Sequence, residues 1–387
     1  MWRLQHFDRD AFLAEYWQKK PLLIRGAFAD FDPLITPEEL AGLAMEPGVH
    51  SRLVIEKDAE TPWQLSYGPF DEERFTALPR SHYSLLVSEC EKWLPELRQL
   101  IDEFSFIPRW RIDDVMISYA PDGGSVGPHI DDYDVFLIQA SGRREWMIEQ
   151  QARQRPKIIE GLDLAILRDF HPDQQWVLEP GDLLYLPPRI PHHGVARGEG
   201  CMTWSVGFRA PAVSDLMDSL LLEADSAGLA SERYADGDLR VPRDPAELLD
   251  EDLDGFRRLA RELLERIERN GLWPRIVGRL VTDTTLAEDI QGIRIDTPAQ
   301  AADLRWQPHP DSRFCFHRQG DALDLFCNGR HYRLAASAVP LNGLSRLCNA
   351  AHMNWDELQV EHSEAWRDCL LELINEAALI PLEDDDD

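Results

Sequence analysis

The triplet His129-Ile130-Asp131, with His192 far downstream at the end of Pro187-Pro188-Arg189-Ile190-Pro191-His192, constrains this chain more than any other feature. In an extended strand, residues i and i+2 project to the same face. The imidazole of His129 and the carboxylate of Asp131 are therefore expected to point together, and a distant strand must carry the second imidazole back to them. Two imidazoles and one carboxylate can occupy one face of an octahedral metal and leave other positions open. That is the ligand set of non-haem Fe(II) oxygenases.

The surroundings of the triplet strengthen this reading. It follows a glycine-rich loop, Gly123-Gly124-Ser125-Val126-Gly127-Pro128, and precedes the apolar run Val135-Phe136-Leu137-Ile138. Upstream of His192, Pro180-Gly181-Asp182 reads as a turn, Leu183 to Leu186 as a strand and Pro187-Pro188 as a rigid exit. A cupin-type barrel delivers its distal ligand in this way. His193 competes with His192, because neighbours on an extended segment face opposite ways and only one of them can readily ligate. A 2-oxo acid chelating such a metal would need a fixed cation for its distal carboxylate, and arginine suits that role through bidentate hydrogen bonding. Arg143 and Arg144 are placed for it, one facing in and one out, and alternation alone does not say which.

Further strands are expected at Ile112 to Tyr119, Arg144 to Ile148 after a turn at Ser141-Gly142, Gln175 to Leu178, and Met202 to Phe208. Many short strands between turn signals read as a sandwich or barrel over about 111–209. Before it, helices and strands mix: Asp10 to Trp17 reads as an amphipathic helix ending near Lys20-Pro21, and Leu22-Leu23-Ile24 as a short strand. After Pro211 the pattern turns helical. The clearest helix is expected to start at Asp244-Pro245-Ala246-Glu247, with Asp244 as its cap, and to present Leu249, Phe256, Leu259, Leu263 and Ile267 as one apolar stripe up to Asn270-Gly271. The last hundred or so residues hold Leu323 to Cys327 and His331 to Leu334 around the hairpin signal Asn328-Gly329, then helix-like segments at 355–360 and 364–378. This layout is winged-helix-like without a basic recognition helix. It ends in an acidic tail, Glu383 to Asp387, of disordered composition.

A chain of 387 residues implies two or three domains. No segment reads as transmembrane, and the polar start Met1-Trp2-Arg3-Leu4-Gln5 lacks the apolar run of a signal peptide, so a cytoplasmic location is expected. Six scattered cysteines with no C-x-x-C pair read as buried free thiols. The formal net charge of −30 disfavours direct nucleic-acid binding and would steer a basic protein partner.

At these motifs the chain resembles the JmjC-type ribosomal oxygenases, and most nearly the bacterial RoxA-like arginine 3-hydroxylases of a large-subunit ribosomal protein. The resemblance is carried by Tyr16-Trp17-Gln18-Lys19-Lys20-Pro21, Leu40 to Glu46, Trp110 to Asp114, Gly127 to Phe136, Gly142-Arg143-Arg144, Pro188 to His192 and Ser205 to Pro211. It implies Fe(II) on His129, Asp131 and His192, 2-oxoglutarate and O2 as cosubstrates, and the distal carboxylate of 2-oxoglutarate on Arg144 with Ser118 assisting. It further implies a substrate guanidinium held by Asp113 and Ser205. Thr203-Trp204 departs from the Asn-Tyr expected there.

The expected architecture is α+β. A double-stranded β-helix (cupin/JmjC jelly-roll) barrel with an N-terminal extension fills 1–211, a helical dimerisation region 212–275, and a winged-helix-like domain with the acidic tail 276–387. The expected activity is hydroxylation of an arginine in a basic ribosomal protein by a homodimer, away from any membrane. The rivals are a JmjC histidyl hydroxylase, a methyl-lysine demethylase, and a non-catalytic metal-binding cupin scaffold, against which Arg144 argues.

Overall fold

The computed structural model describes residues 2–56, 63–237, 239–241, 243–284, 286, 292–295 and 297–382, so the acidic tail lies outside the described residues. The chain divides into two compact units, Met1–Ala210 and Pro211–Asp387.

The first unit contains, in order, α1 (Arg9–Glu15), β1 (Leu22–Ile24), α2 (Pro37–Leu43), β2 (Ser51–Glu56), β3 (Trp63–Tyr67), α3 (Glu72–Thr76), β4 (Tyr83–Val87), α4 (Leu97–Glu103), β5 (Ile112–Ala120), β6 (Asp134–Ile148), β7 (Gln174–Leu178), β8 (Leu183–Leu186) and β9 (His192–Phe208). Helix α1 starts one residue before the expected position because Asp8 caps it, its side chain accepting the Ala11 N–H at 3.0 Å.

The strands form one antiparallel sheet in the order β1-β8-β6-β9-β5-β4-β2-β3, with β7 also paired to β6. Its axis is the long ribbon of β6 and β9, which runs from Asp134 opposite Phe208 to Ile148 opposite His192. On the other side of β6, β8 pairs with Val135 to Ile138 and β7 with Arg144 to Ile148. The turn expected at Ser141-Gly142 does not occur. Instead β6 continues through a register shift between Gln139 and Arg143, and Gly142 adopts φ +62°. A Cβ there would stand 2.7 Å from the Gly200 carbonyl oxygen, so the two strands cross too closely for any side chain. A ribbon bent at this point serves both faces of a jelly roll, and the fold is the double-stranded β-helix expected from the sequence.

Alternation along β6 divides the core. Phe136 and Ile138 pack with Phe12, Phe104, Tyr185, Trp204 and Phe208, while Val135 and Leu137 pack with Trp146, Ile148, Leu184 and Leu186. The fully buried Asp134 ties the N-terminal extension to this ribbon. It accepts hydrogen bonds from the Tyr185 hydroxyl at 2.6 Å, the Gln18 amide at 2.9 Å and Arg111 Nη2 at 3.1 Å.

The second unit contains α5 (Val213–Ser226), α6 (Asp250–Arg269), α7 (Trp273–Thr282), α8 (Pro298–Ala302), β10 (Arg305–Pro308), β11 (Phe314–Gln319), β12 (Ala322–Cys327), β13 (Arg330–Ala335), α9 (Leu341–Asn349), β14 (Met353–Asn354), α10 (Glu364–Asn375) and β15 (Leu379–Pro381). Strands β12 and β13 form the hairpin expected around Asn328-Gly329, both turn residues having positive φ as this two-residue turn requires. The helix expected from Asp244 starts later, at Asp250. Asp244 instead closes a local turn, its side chain accepting the Ala246 N–H, and Asp252 serves the N-terminus by accepting the Leu249 N–H at 2.9 Å. The stripe on α6 is buried at Ile267 but leaves Phe256 55% exposed. Val213, Met217 and Leu221 on α5 are likewise exposed. Among the described residues, no helix is long and apolar enough to cross a membrane.

Asp134→Ala would leave a half-buried guanidinium and a buried tyrosine hydroxyl without their shared acceptor. Denaturant unfolding is expected to show a loss of about 3–5 kcal/mol, the range for breaking a buried ion pair from one side.

Candidate metal centre

The irregular segment between β5 and β6 carries His129 and Asp131 just ahead of β6. It lies outside any regular strand, and the strand expected to carry these residues begins only at Asp134. An isolated bridge holds it to the start of β9, where His129 and His192 exchange backbone hydrogen bonds of 3.0 and 2.9 Å. The donor atoms of His129, Asp131 and His192 lie within 4.8 Å of one another, and Asp131 carboxylate oxygens stand 4.0 Å from His129 Nε2 and 3.5 Å from His192 Nε2. Each imidazole is oriented from behind. His129 Nδ1 donates to the Gly127 carbonyl and His192 Nδ1 to the Ile190 carbonyl, both at 2.9 Å. A carbonyl can only accept, so Nδ1 carries the proton and Nε2 presents its lone pair to the cluster. Burial, and after it the charge of His129, pushes His192 down to about 4, which keeps it neutral near pH 7. His193 turns away and bonds the Ser125 hydroxyl at 2.8 Å. Two imidazoles and a carboxylate fit a divalent first-row metal.

These donors open into a cavity of about 430 Å³, also lined by Arg144, Ser118, Asp113 and Ser205, so one space gathers every candidate from the sequence. The ambiguity between the two arginines is resolved by β6. Arg143 is exposed, whereas Arg144 is only 4% exposed and lies against the Trp146 ring at 5.8 Å. Arg144 Nε and Nη2 are buried and make no hydrogen bond among the described residues. A buried guanidinium with spare donors is a receptor for an anion. Ser118 donates to the Thr203 carbonyl at 3.2 Å, and Ser205 is buried. Thr203, the departure noted in the sequence, also lines the cavity, with its hydroxyl 3.3 Å from Gln139 Oε1, while Trp204 packs in the core against Trp2 and Phe31.

Family comparisons agree with this geometry. A JmjC domain model matches residues 99–216, a ROXA-like winged helix model residues 293–379, and an AraC-like ligand binding domain model residues 170–272. The ribosomal protein uL16 3-hydroxylase of Escherichia coli is 40% identical over 262 residues, covering 68% of this chain and 69% of that relative. The chain belongs to the JmjC ribosomal oxygenases of the RoxA type. A probable ribosomal oxygenase of Haemophilus influenzae is 39% identical over 224 residues, 56% of this chain and 53% of that protein. The X-ray structure of E. coli ycfD superposes with a TM-score of 0.83 at 31% identity, covering 98% of this chain and all of that one. A structure of YcfD in complex with cobalt and 2-oxoglutarate superposes at 0.81 and 30% identity, covering 99% of this chain and 100% of that one.

In this ribosomal oxygenase the two neighbouring aspartates on β5 occupy different environments. Asp113 is exposed and ion-paired with Arg209 Nε at 2.8 Å. Asp114 is more enclosed, and desolvation, followed by the charges of Asp113 and Glu89, raises it to about 6. Asp114, Met116, Tyr133 and Trp146 all line the cavity, and sequence reasoning singled out none of them. The raised carboxyl of Asp114 depends on its tertiary surroundings, so no local pattern marks it.

Replacing His129, Asp131 or His192 by alanine is expected to lower Co(II) affinity by more than about 100-fold, beyond the losses typical of outer-sphere changes. Anaerobic calorimetric titration measures this directly.

Proposed function

We propose that this chain is an Fe(II)/2-oxoglutarate-dependent protein hydroxylase that adds a hydroxyl to C3 of an arginine in a large-subunit ribosomal protein. His129, Asp131 and His192 hold the iron. With 2-oxoglutarate and O2, the bound iron supplies the oxidising chemistry. The observation that carries the reading is the pair of unbonded, buried Arg144 nitrogens in the same cavity as the metal donors. They receive the distal carboxylate of 2-oxoglutarate, with Ser118 beside it. The solved cobalt and 2-oxoglutarate complex of the E. coli relative supports this cofactor set.

The chain's own groups then orient the substrate. Asp114 offers the partly enclosed carboxylate that a guanidinium requires, with Asp113 at its exposed side and Ser205 across the strand pair. A neutral histidine would leave that carboxylate unpaired, which sets arginine apart from the histidyl alternative. The net charge of −30 suits a basic ribosomal protein and disfavours direct contact with nucleic acid. The reading places the protein in the cytoplasm with its substrate.

We further propose three functional regions: an oxygenase domain at 1–211, a dimerisation region at 212–275 and a winged-helix domain with the acidic tail at 276–387. The exposed apolar residues of α5 and α6 support a homodimer through that middle region. Sedimentation analysis is expected to find a dimer that Phe256→Glu dissociates.

The deciding experiment incubates purified protein with Fe(II), 2-oxoglutarate and ribosomal proteins, beginning with E. coli uL16, and maps products by mass spectrometry. One added oxygen on an arginine, absent with His129→Ala, is the expected result. An oxygen on histidine, or demethylation of lysine, would select a rival enzyme. Absence of 2-oxoglutarate turnover under every condition would leave only the scaffold. Arg144→Met is expected to raise the 2-oxoglutarate KM at least about tenfold, the loss of a charge-assisted bond, in a succinate-release assay.

A further inference from the structure

One wall of the cavity is built from a strand irregularity. Ile112 pairs with Phe208 and Val115 with Val206, so Asp113 and Asp114 together stand opposite the single residue Gly207. Gly207 leaves room for the extra residue, since a Cβ there would meet Asp114 Oδ1 at 3.1 Å. The bulge is clamped from outside by the turn after β4. The Val115 N–H donates to Glu91 Oε2 at 2.8 Å. In return, Asp114 Oδ2 accepts the Glu89 N–H at 3.2 Å. Glu89 adopts a left-handed conformation, φ +56°, and its carboxylate is held by Lys92 Nζ at 2.6 Å and His50 Nδ1 at 2.8 Å. A strained residue beside a cavity, fixed by reciprocal bonds, marks geometry that the surrounding structure enforces.

We propose that Glu91 is a positioning residue for substrate recognition: by holding the Val115 amide it fixes the bulge and keeps the Asp114 carboxylate aimed into the cavity. This rests on the reading above, in which Asp114 receives the substrate guanidinium. Glu91 suits the task because it can hold the amide without opposing Asp114. Desolvation, with the charge of Asp114 second, raises Glu91 to about 8, so near neutral pH it is largely protonated. The charged groups that do act on Asp114 are Asp113 and Glu89, which raise its pKa, and Arg52, which lowers it. A glutamine at this position would retain the acceptor oxygen and lack only the ionisable proton.

The test uses the full-length iron-loaded protein with E. coli uL16, or another ribosomal protein hydroxylated in the mapping experiment, as substrate. Glu91→Ala is expected to raise the protein-substrate KM about tenfold, as for a lost hydrogen bond to a charged group, and Glu91→Gln to restore it to within about twofold. The 2-oxoglutarate KM and substrate-independent succinate release are expected to stay at their wild-type values in both variants. Asp114→Asn serves as the control for the underlying reading and is expected to raise the same KM. An unchanged KM in Asp114→Asn would overturn that reading, and this proposal with it. A raised KM in Asp114→Asn with an unchanged KM in Glu91→Ala would overturn the positioning role alone. So would a parallel loss of 2-oxoglutarate turnover and substrate turnover in Glu91→Ala, which is the signature of a merely structural residue.

Discussion

The pairing of β6 with β9 is the contact on which the rest of the structure depends. It spans both halves of the barrel, from Asp134 opposite Phe208 to Ile148 opposite His192. Its far end brings His192 back to the segment that carries His129, and the bridge between those two residues closes the metal site. Arg144 lies on the same ribbon, beyond the irregularity at Gly142. One strand pair therefore fixes the spacing between the metal donors and the cation that faces them. Such non-local pairing is costly in chain entropy, and the aromatic and aliphatic packing on both faces of β6 offsets that cost.

Buried polar groups give the barrel its specificity. Asp134 gathers Gln18, Arg111 and Tyr185, residues from three separate parts of the unit, and Gln18, Arg111 and Asp134 lie within motifs that carried the family resemblance. Those motifs are thus legible as one network once the fold is known, and as isolated short runs before that. The contrast with Arg144 is instructive. Asp134 has its partners within the protein, whereas two Arg144 nitrogens have none among the described residues. A fully satisfied buried charge is structural, and a partly satisfied one in a cavity leaves donors open to an anion.

Much of the site was legible beforehand because its parts follow strong local rules. The glycine loop before His129 and the proline run before His192 are backbone signals, and they led to the two segments that the bridge between His129 and His192 brings together. The hairpin at Asn328-Gly329 was legible for the same reason. The misreadings share a different cause. Ser141-Gly142 has turn chemistry, yet the ribbon continues through it, because its partner β9 supplies hydrogen bonds on both sides. Asp244-Pro245 has the chemistry of a helix start, yet a local turn uses Asp244 and the helix begins at Asp250. In the first case distant partners select one of two local structures; in the second a competing local turn does.

The sequence by itself determined the residue types of the candidate metal site, the barrel class and the family, since residue types and the turns that deliver them are written locally along the chain. Only the tertiary structure decided which arginine faces inward, which of two histidines joins the cluster and which of two aspartates the cavity encloses. Each of those choices is made between adjacent residues. Strand alternation says that neighbours face opposite ways, but its phase is set by long-range register and by bulges, and these exist only after the strands have paired.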